Sequence, residues 1–266
     1  PIEISKPSKF DFSVVSAIFG WDNRINAPGR IYLILYVMKN LPLVSILIPT
    51  TYSRFIFMKQ LFKYIYQQDY LGEKEIIILN DGDKKLDNVP TQDNAKCRII
   101  NLESKNTIGF KRNLLNDEAK GDILIYFDDD DYHLPTRITH TVESLISGNN
   151  LIAGSSKLFV FNTSDQKIYK YGPYGRYHSG AGSMGFYKEY SKTHRFDDLK
   201  NIAEESSFTN SFTEPMNQLD PQKTILVINH QYNTFDKNLS SKKRQTVFQK
   251  EFFFKDDDDL RFYDNL

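Results

Sequence analysis

Four consecutive aspartates, Asp128 to Asp131, follow the apolar run ILIYF (Ile123 to Phe127). A run of aliphatic and aromatic residues of this length predicts a buried strand, so the carboxylates emerge together at its C-terminal end, where open α/β sheets bind ligands. Two carboxylates about 4 Å apart repel each other by roughly 1 kcal/mol in bulk water and by about 4 kcal/mol at a surface-like dielectric. A cation would offset this repulsion, and oxygen ligands select Mg²⁺, Mn²⁺ or Ca²⁺. The alternative interpretation is a solvated acidic turn.

The part of the chain from Leu43 to Gly148 alternates strand-like and helix-like patterns. Apolar runs predict strands, and apolar residues at helical spacing predict the helices between them. The predicted strands are 44–48, 75–79, 97–102 and 123–127, and the predicted helices lie around 58–65, 109–121 and 135–148. Ser53 is the candidate cap of the first helix. This order predicts an α/β fold with a mostly parallel sheet covered by helices on both faces.

The pattern changes after Leu151. The runs LIAGSSKLFVFN and KIYKYG predict a pair of antiparallel strands, a helical segment is predicted near Ala203 to Phe212, and ILVINH predicts the last strand. We therefore divide the chain into an N-terminal extension packing on the main fold (1–42), a main domain (43–236) and a C-terminal helical or tail segment (237–266).

Composition limits the partners and the compartment. The 266 residues have a formal net charge of +0, which argues against nucleic acid as a partner. Cys97 is the one cysteine, so we expect it to pack as a small hydrophobic residue in a reducing, cytoplasmic compartment. Lys39, Asn40 and Pro42 interrupt the apolar stretch 31–49, so we expect a soluble protein without a transmembrane segment. Because the chain starts without Met, we expect a fragment of a longer molecule.

Several motifs, taken in order, resemble those of the family 2 glycosyltransferases, nucleotide-sugar enzymes with the GT-A fold. They are VSILIPTTYSR, IIILNDGD, GFKRN, YFDDDDYHLP, AEESSF and INHQYNT, and they cover about residues 43 to 235. The resemblance implies a GT-A α/β fold with a small antiparallel sheet in the C-terminal half. It also implies an inverting hexosyltransferase that uses Mn²⁺ or Mg²⁺, a UDP-sugar and a hydroxyl acceptor on a glycan, protein or lipid. Residues 43–150 would bind the nucleotide and 151–236 the acceptor.

The resemblance assigns a nucleotide site to residues of four motifs. Tyr52 would stack on the base, and Asp81 would accept a hydrogen bond from the uracil N–H, which favours UDP over GDP. Lys111 stands where the family usually has Ala. The residues predicted to bind the nucleotide are Thr50, Tyr52, Arg54, Asp81, Lys111, Arg112, Asp128 and Asp129. Arg112 is expected to hold the nucleotide or to pair with one of the aspartates.

The same resemblance assigns the metal and the catalytic base. Asp130 would ligate the metal together with Asp128 and His230, leaving Asp131 as a supporting or solvent-facing charge. Glu205, and after it Glu204, would accept the proton of the acceptor hydroxyl, with Asp197 and Asp198 as the reserve pair. Two glutamates in a first helical turn are also common stabilisers of the helix dipole, so that interpretation stays open.

The loop with Gly180, Gly182, Ser183 and Met184 is expected to line the acceptor side. The candidate sugar-stacking rings are Tyr174, Tyr177 and Trp21. His133 is expected to be close enough to reach the site.

Two rival functions remain. One is an inactive nucleotide-sugar-binding module of a larger protein. The other is an aspartyl phosphotransferase, whose motif Asp-x-Asp-x-Thr or Val is interrupted here by Tyr132.

Overall fold

The structure is a computed structural model that describes residues 40–82, 84–92, 96–233, 245–248, 250–254, 256–264 and 266. Most of the predicted N-terminal extension, with Trp21, lies outside the described residues. The strands are β1 (Val44–Thr51), β2 (Lys74–Asp81), β3 (Cys97–Leu102), β4 (Ile123–Tyr126), β5 (Tyr132–His133), β6 (Ile152–Gly154), β7 (Leu158–Asn162), β8 (Lys167–Tyr171), β9 (Gly185–Tyr187), β10 (Asn217–Gln218), β11 (Ile225–Asn229) and β12 (Gln245–Phe248). The α-helices are α1 (Met58–Tyr66), α2 (Ile108–Glu118), α3 (Arg137–Ser147), α4 (Lys188–Thr193), α5 (Glu205–Phe208) and α6 (Asp257–Asp264).

The main sheet has seven strands in the order β10-β6-β9-β4-β1-β2-β3. The four strands predicted from apolar runs, β1 to β4, pair in parallel and form one side of this sheet, with β3 at its edge, and β9 runs antiparallel between β4 and β6. Thr51 lies opposite Asp81, and Leu47 lies opposite Tyr126. The predicted mostly parallel α/β sheet is confirmed, and the carboxyl ends of β1, β2 and β4 meet at one edge.

Helices cover both faces of this sheet because its central strands are apolar on both sides. On one face, alternate residues such as Ile46 and Ile125 pack against α1 and α3, through Leu61, Phe62 and Ile138. On the other face, the remaining residues of the same strands pack against other helices and loops, through Leu47, Leu124, Leu115 and Phe208. The core on the first face therefore holds α1 and α3, and the core on the second face holds α2 and α5.

A second sheet with the order β12-β8-β7-β11-β5 begins directly after the acidic loop. The predicted antiparallel strand pair is partly correct, because β7 and β8 form a hairpin, but β6 joins the main sheet. One pairing, β11 with β7, is parallel. The prediction that ILVINH is the last strand is wrong, since β12 follows it and pairs with β8.

Two local predictions are also wrong. Ser53 does not cap α1, because a 3₁₀ turn over Tyr52–Phe57 precedes the helix and no side chain caps it. The helix expected near residues 203–212 is one turn, α5, because Asn210, Ser211 and Phe212 take left-handed φ angles of 48°, 57° and 61°. Left-handed backbone costs a non-glycine residue roughly 1–2 kcal/mol, so this run stops the helix.

The C-terminal segment contributes a helix that packs beside the second sheet. Lys63 of α1 forms ion pairs with Asp256 and Asp259, at 2.5 and 2.7 Å. The aromatic residues Phe253, Phe254 and Tyr263 join the core under β7 and β11. No helix among the described residues has the length and apolar character needed to cross a membrane.

Candidate active site

The acidic loop is largely inside the protein. The side chains of Asp128, Asp129 and Asp130 are 27%, 3% and 10% exposed. Asp131 is buried as a whole residue, and its Oδ1 accepts a hydrogen bond from the backbone N–H of Ile228 at 3.0 Å. The solvated acidic turn and the solvent-facing Asp131 are therefore wrong. Asp128 is the most accessible of the three carboxylates that line the edge.

Arg54 neutralises two of these carboxylates. Its Nη2 lies 2.6 Å from Asp129 Oδ1 and 2.5 Å from Asp130 Oδ2, and its Nη1 donates to the carbonyl of Tyr232 at 3.0 Å. Thr50 Oγ1 adds a hydrogen bond of 2.6 Å to Asp129. Burial alone would lower the pKa of Arg54, but the two carboxylates outweigh it and raise that pKa. The predicted nucleotide residues Thr50 and Arg54 therefore contact the acidic loop directly.

His230 and Asn233 reach Asp130 from the end of β11. His230 Nε2 lies 3.0 Å and Asn233 Nδ2 2.9 Å from Asp130 Oδ2. The backbone N–H of Tyr232 donates to His230 Nδ1 at 3.1 Å, and Asn233 Nδ2 lies 3.2 Å from His230 Nε2. Among the described residues, no group of three or more His, Cys, Asp or Glu side chains is arranged to hold a metal ion.

Arg112 joins the acidic loop to the helix with the candidate base. Its Nε donates to Glu204 Oε1 at 3.0 Å, and its Nη2 lies 3.2 Å from Asp128 Oδ1. The guanidinium also lies over the ring of Tyr126, 4.5 Å from its centroid. Burial would lower the pKa of Arg112, but Asp128 and Glu204 raise it. Arg112 is thus paired with an aspartate, as one of its two interpretations predicted, and also with Glu204.

The two candidate glutamates have different surroundings. Glu204 is buried and paired with Arg112. Glu205, the first residue of α5, is only partly buried, and burial together with the neighbouring Glu204 raises its pKa to about 7. A carboxyl group with a pKa near neutrality is suited to accept a proton at physiological pH. The arrangement therefore separates a structural glutamate from one that is available for chemistry.

The reserve carboxylates Asp197 and Asp198 lie in a loop that packs on the start of α2. Asn113 donates to Asp198 Oδ1 at 2.7 Å, and the backbone N–H of Leu199 donates to Asp197 Oδ1 at 2.9 Å. A Cβ on Gly109 would lie 2.0 Å from the carbonyl oxygen of Asp197, so this motif glycine permits the close approach. Both aspartates therefore stabilise the fold of this loop.

Asp81 and Lys111 form an ion pair at the end of β2. Lys111 Nζ lies 3.1 Å from Asp81 Oδ1 and donates to the carbonyl of Thr50 at 3.2 Å. Asp81 Oδ2 accepts from the backbone N–H of Asn106 at 2.8 Å. Burial lowers the pKa of Lys111. Tyr52, which follows β1 at this edge, is 41% exposed, and its ring stacks beside Phe55 at a centroid distance of 6.4 Å.

Sequence reasoning missed Arg137, which lies wholly inside the protein behind the acidic loop. Its Nη2 donates to the carbonyls of Tyr126 and Gly182, both at 2.6 Å, and burial lowers its pKa to about 10. It therefore ties the end of β4 to the predicted acceptor loop. The sequence contains one signal for this residue, because Arg137 is a charged residue on the apolar face of α3, one position before Ile138.

The glycine loop and His133 also contact the acidic loop. A Cβ on Gly182 would lie 2.5 Å from Asp128 Oδ2, so this glycine permits the loop to approach that carboxylate. His133 Nε2 lies 2.9 Å from the carbonyl oxygen of Asp128, and its ring stacks on Phe127. The candidate stacking ring of Tyr174 is 38% exposed and lies against His178.

Solved structures similar to this one share its fold. S. aureus TarS (residues 1–349) in complex with UDP superposes with a TM-score of 0.52 at 14% identity, covering 70% of this chain and 60% of that chain. The same TarS fragment in complex with UDP-GlcNAc gives 0.51 at 12% identity, covering 71% and 59%. Mannosyltransferase PcManGT from Pyrobaculum calidifontis, in complex with GDP-Man and Mn²⁺, gives 0.55 at 12% identity, covering 84% and 68%. The chain thus spans about 60% of the TarS fragment's length.

The mostly parallel central sheet is shared with these neighbours, so the fold is the GT-A fold. The model of the family described as glycosyl transferase family 2 matches residues 45–209, which is more than half of the 266 residues. The chain belongs to this family. No curated protein matches the sequence.

Proposed function

We propose that this chain is a metal-dependent, inverting glycosyltransferase that transfers a hexose from a UDP-sugar to a hydroxyl acceptor on a glycan, protein or lipid. The observation that carries the proposal is the bridge through Arg112, which binds Asp128 of the acidic loop and Glu204 beside Glu205. A carboxylate suited to donor binding and a carboxyl group suited to proton transfer are thereby held in one site. The rival interpretation of the glutamates as helix-dipole stabilisers does not explain this pairing.

The donor side of the proposal rests on the edge formed by β1, β2 and β4. The partly exposed ring of Tyr52 would stack on the base, and Asp81 stands at the end of β2, where its carboxylate would accept the uracil N–H. Asp128, the most exposed of the three lining carboxylates, would accept hydrogen bonds from ribose or sugar hydroxyls. The complexes of TarS with UDP and UDP-GlcNAc support a uridine donor, while the GDP-Man complex of PcManGT keeps guanine as the second candidate.

The chemistry of the side chains at the carboxyl edge suits a divalent ion, because Asp128 and Asp130 are hard oxygen ligands and His230 lies 3.0 Å from Asp130. Asp128, Asp130 and His230 are the residues that would hold it, after the side chains rearrange from the positions described above. A bound Mn²⁺ or Mg²⁺ would supply positive charge next to the diphosphate of the leaving group. Arg54, which now binds Asp130, can offer the same diphosphate its planar pair of N–H donors.

The protein's own part in the transfer is proton removal and positioning. Glu205 takes the proton of the acceptor hydroxyl while that oxygen forms its bond to the sugar C1 on the face opposite the leaving UDP. Glu204 pairs with Arg112 and keeps α5 oriented. The left-handed run after α5 limits the helix to one turn, which leaves Glu205 at the start of a short, fixed element.

A donor-hydrolysis assay tests the proposal. The purified protein is incubated with UDP-glucose, UDP-GlcNAc or an aryl phosphate in the presence of Mn²⁺, and release of UDP or phosphate is measured. We expect UDP release by the wild type, a loss of at least about a hundredfold in Asp130→Asn, and unchanged release in the control Asp117→Asn, whose side chain is 54% exposed on the opposite side of α2 from the loop.

The rivals give different results in the same assay. Hydrolysis of the aryl phosphate without UDP release would replace the proposal by an aspartyl phosphotransferase. UDP binding without turnover of any nucleotide sugar would favour an inactive binding module.

A further inference from the structure

We propose that Lys111 selects the base of the donor by donating a hydrogen bond to a ring carbonyl. The chemistry it recognises is a carbonyl next to a ring N–H, as in uracil or guanine, and it disfavours cytosine, which carries an amino donor in place of that carbonyl. This inference rests on the proposed function, in which the base lies at the end of β2. It assigns this role to a lysine at a position where the family usually has Ala, which has no side-chain hydrogen-bond donor.

The ammonium of Lys111 is fixed in direction. Nζ binds the carbonyl of Thr50 at 3.2 Å and Asp81 Oδ1 at 3.1 Å, so β1 and β2 each hold one of its hydrogens. An ammonium has three donors and no acceptor, so one N–H remains without a partner among the residues that the structure describes. A flexible four-carbon side chain held at two points presents its third donor with little further loss of rotamer freedom.

Exposure separates the roles of the two partners. The Lys111 side chain is 12% exposed, while that of Asp81 is 1% exposed and its second oxygen already accepts from the Asn106 N–H. An incoming base therefore meets the ammonium first. Asp81 orients the ammonium and offers the adjacent acceptor.

The surroundings of the pair fit a planar heterocycle. Thr51 lies directly opposite Asp81 across β1 and β2, and Tyr52 follows it with a ring that is 41% exposed. Lys84 Nζ lies 5.3 Å from the centroid of that ring, and the ring of Phe55 stacks beside it at 6.4 Å, so a base that stacks on Tyr52 would take the place of one of these neighbours. Stacking would then supply affinity for any base, and the ammonium would supply the selection.

The test compares nucleoside diphosphates, not sugars. Dissociation constants of UDP, GDP and CDP are measured by titration calorimetry in the presence of Mn²⁺. The proteins compared are the wild type, Lys111→Met, Lys111→Arg and the control Lys96→Met. The Lys96 side chain is 64% exposed and pairs with Glu73. Methionine keeps the length of the side chain and removes the donor, whereas arginine retains donors. Comparing UDP with GDP shows whether the protein prefers uracil or guanine, since both bases carry a carbonyl next to a ring N–H.

We expect the wild type to prefer UDP or GDP over CDP by at least about tenfold, since a hydrogen bond to a charged group is worth that much. Lys111→Met is expected to abolish most of this preference by weakening only the carbonyl-bearing nucleotide. Lys111→Arg and Lys96→Met are expected to retain it. The ratio of affinities is the readout, because a merely structural role would weaken all nucleotides together.

Two negative results have different meanings. If the wild type binds UDP or GDP and Lys111→Met leaves the ratio to CDP unchanged, the selecting role of Lys111 is refuted while the proposed function stands. If the wild type binds none of the three nucleotides, the proposed function fails first, and this inference fails with it.

Discussion

Arg54 and His230 bind the same oxygen of Asp130: Arg54 Nη2 lies 2.5 Å and His230 Nε2 3.0 Å from Oδ2. The oxygen proposed to hold a divalent ion therefore also binds a guanidinium. A cation and Arg54 would repel each other there, whereas a diphosphate would attract both. Metal and nucleotide binding should consequently support each other.

This relationship predicts the behaviour of Arg54→Gln. Without nucleotide, the variant should bind Mn²⁺ at least about tenfold more tightly than the wild type, because a competing positive charge is gone. With Mn²⁺ present, it should bind UDP more weakly, since one diphosphate contact is lost. Titration of free Mn²⁺ by electron paramagnetic resonance gives the first quantity. The control is Arg261→Gln, whose side chain is 73% exposed and should change neither. Weaker Mn²⁺ binding in Arg54→Gln would show that Arg54 supports the ion and does not compete with it.

The raised pKa of Glu205 predicts a pH profile for turnover. A base must be ionised to accept a proton, so kcat/KM for donor hydrolysis should fall as the pH drops below about 7 and reach a plateau above it. Glu205→Gln should lose at least about a hundredfold in kcat. Glu189→Gln, a partly buried glutamate of α4, is the control. A profile without a step near neutrality would assign the base to another residue.

The same pKa predicts a pH-dependent stability. Glu205 binds its proton more tightly folded than unfolded, since its pKa rises from 4.5 to about 7. Its contribution is therefore full below about pH 4.5 and is lost as the pH rises through about 7. Relative to the wild type, Glu205→Gln should gain on the order of 3 kcal/mol in the free energy of unfolding between those limits. Urea unfolding at about pH 5 and about pH 8 measures the difference between the two proteins, and an equal difference at both values would contradict the assignment.

Gly182 predicts a contrast between two neighbouring glycines. In Gly182→Ala the new Cβ would lie 2.5 Å from Asp128 Oδ2, so the most accessible lining carboxylate must move. In Gly180→Ala the nearest atom, Leu158 Cδ1, would be 3.5 Å away, which is ordinary contact. We expect at least about a tenfold loss of kcat/KM in the first variant, because a small displacement of a positioned group is costly, and less than about twofold in the second. Equal kcat/KM values for Gly182→Ala and Gly180→Ala would show that Asp128 has no role in the site.

The sequence predicted the parts of the fold that local patterns specify. The apolar runs of β1 to β4 and the helical spacing of α1 and α3 identified the central sheet and its covering helices. Short elements were harder, because α5 ends through three left-handed residues that have no glycine to signal them. The division of LIAGSSKLFVFN between two sheets depends on tertiary pairing, which alternation along one segment does not encode.

The sequence predicted candidate site residues, but few of the contacts between them. Motif order singled out Asp128, Asp130 and Glu205 as candidates, but it did not predict the link from Arg112 to Glu204, which is 92 positions away. Arg54 was expected at the nucleotide and is found on Asp129 and Asp130. Such contacts join distant loops at one sheet edge, so they follow from the assembled fold and not from neighbouring residues.

The most direct test of the central claim is the affinity for UDP with and without metal. Titration calorimetry is performed on the wild type and Asp130→Asn, in Mn²⁺ and after chelation by EDTA. The account predicts that Mn²⁺ strengthens UDP binding by at least about tenfold in the wild type and has little effect in Asp130→Asn. Equal affinity of the wild type for UDP in Mn²⁺ and in EDTA would contradict it.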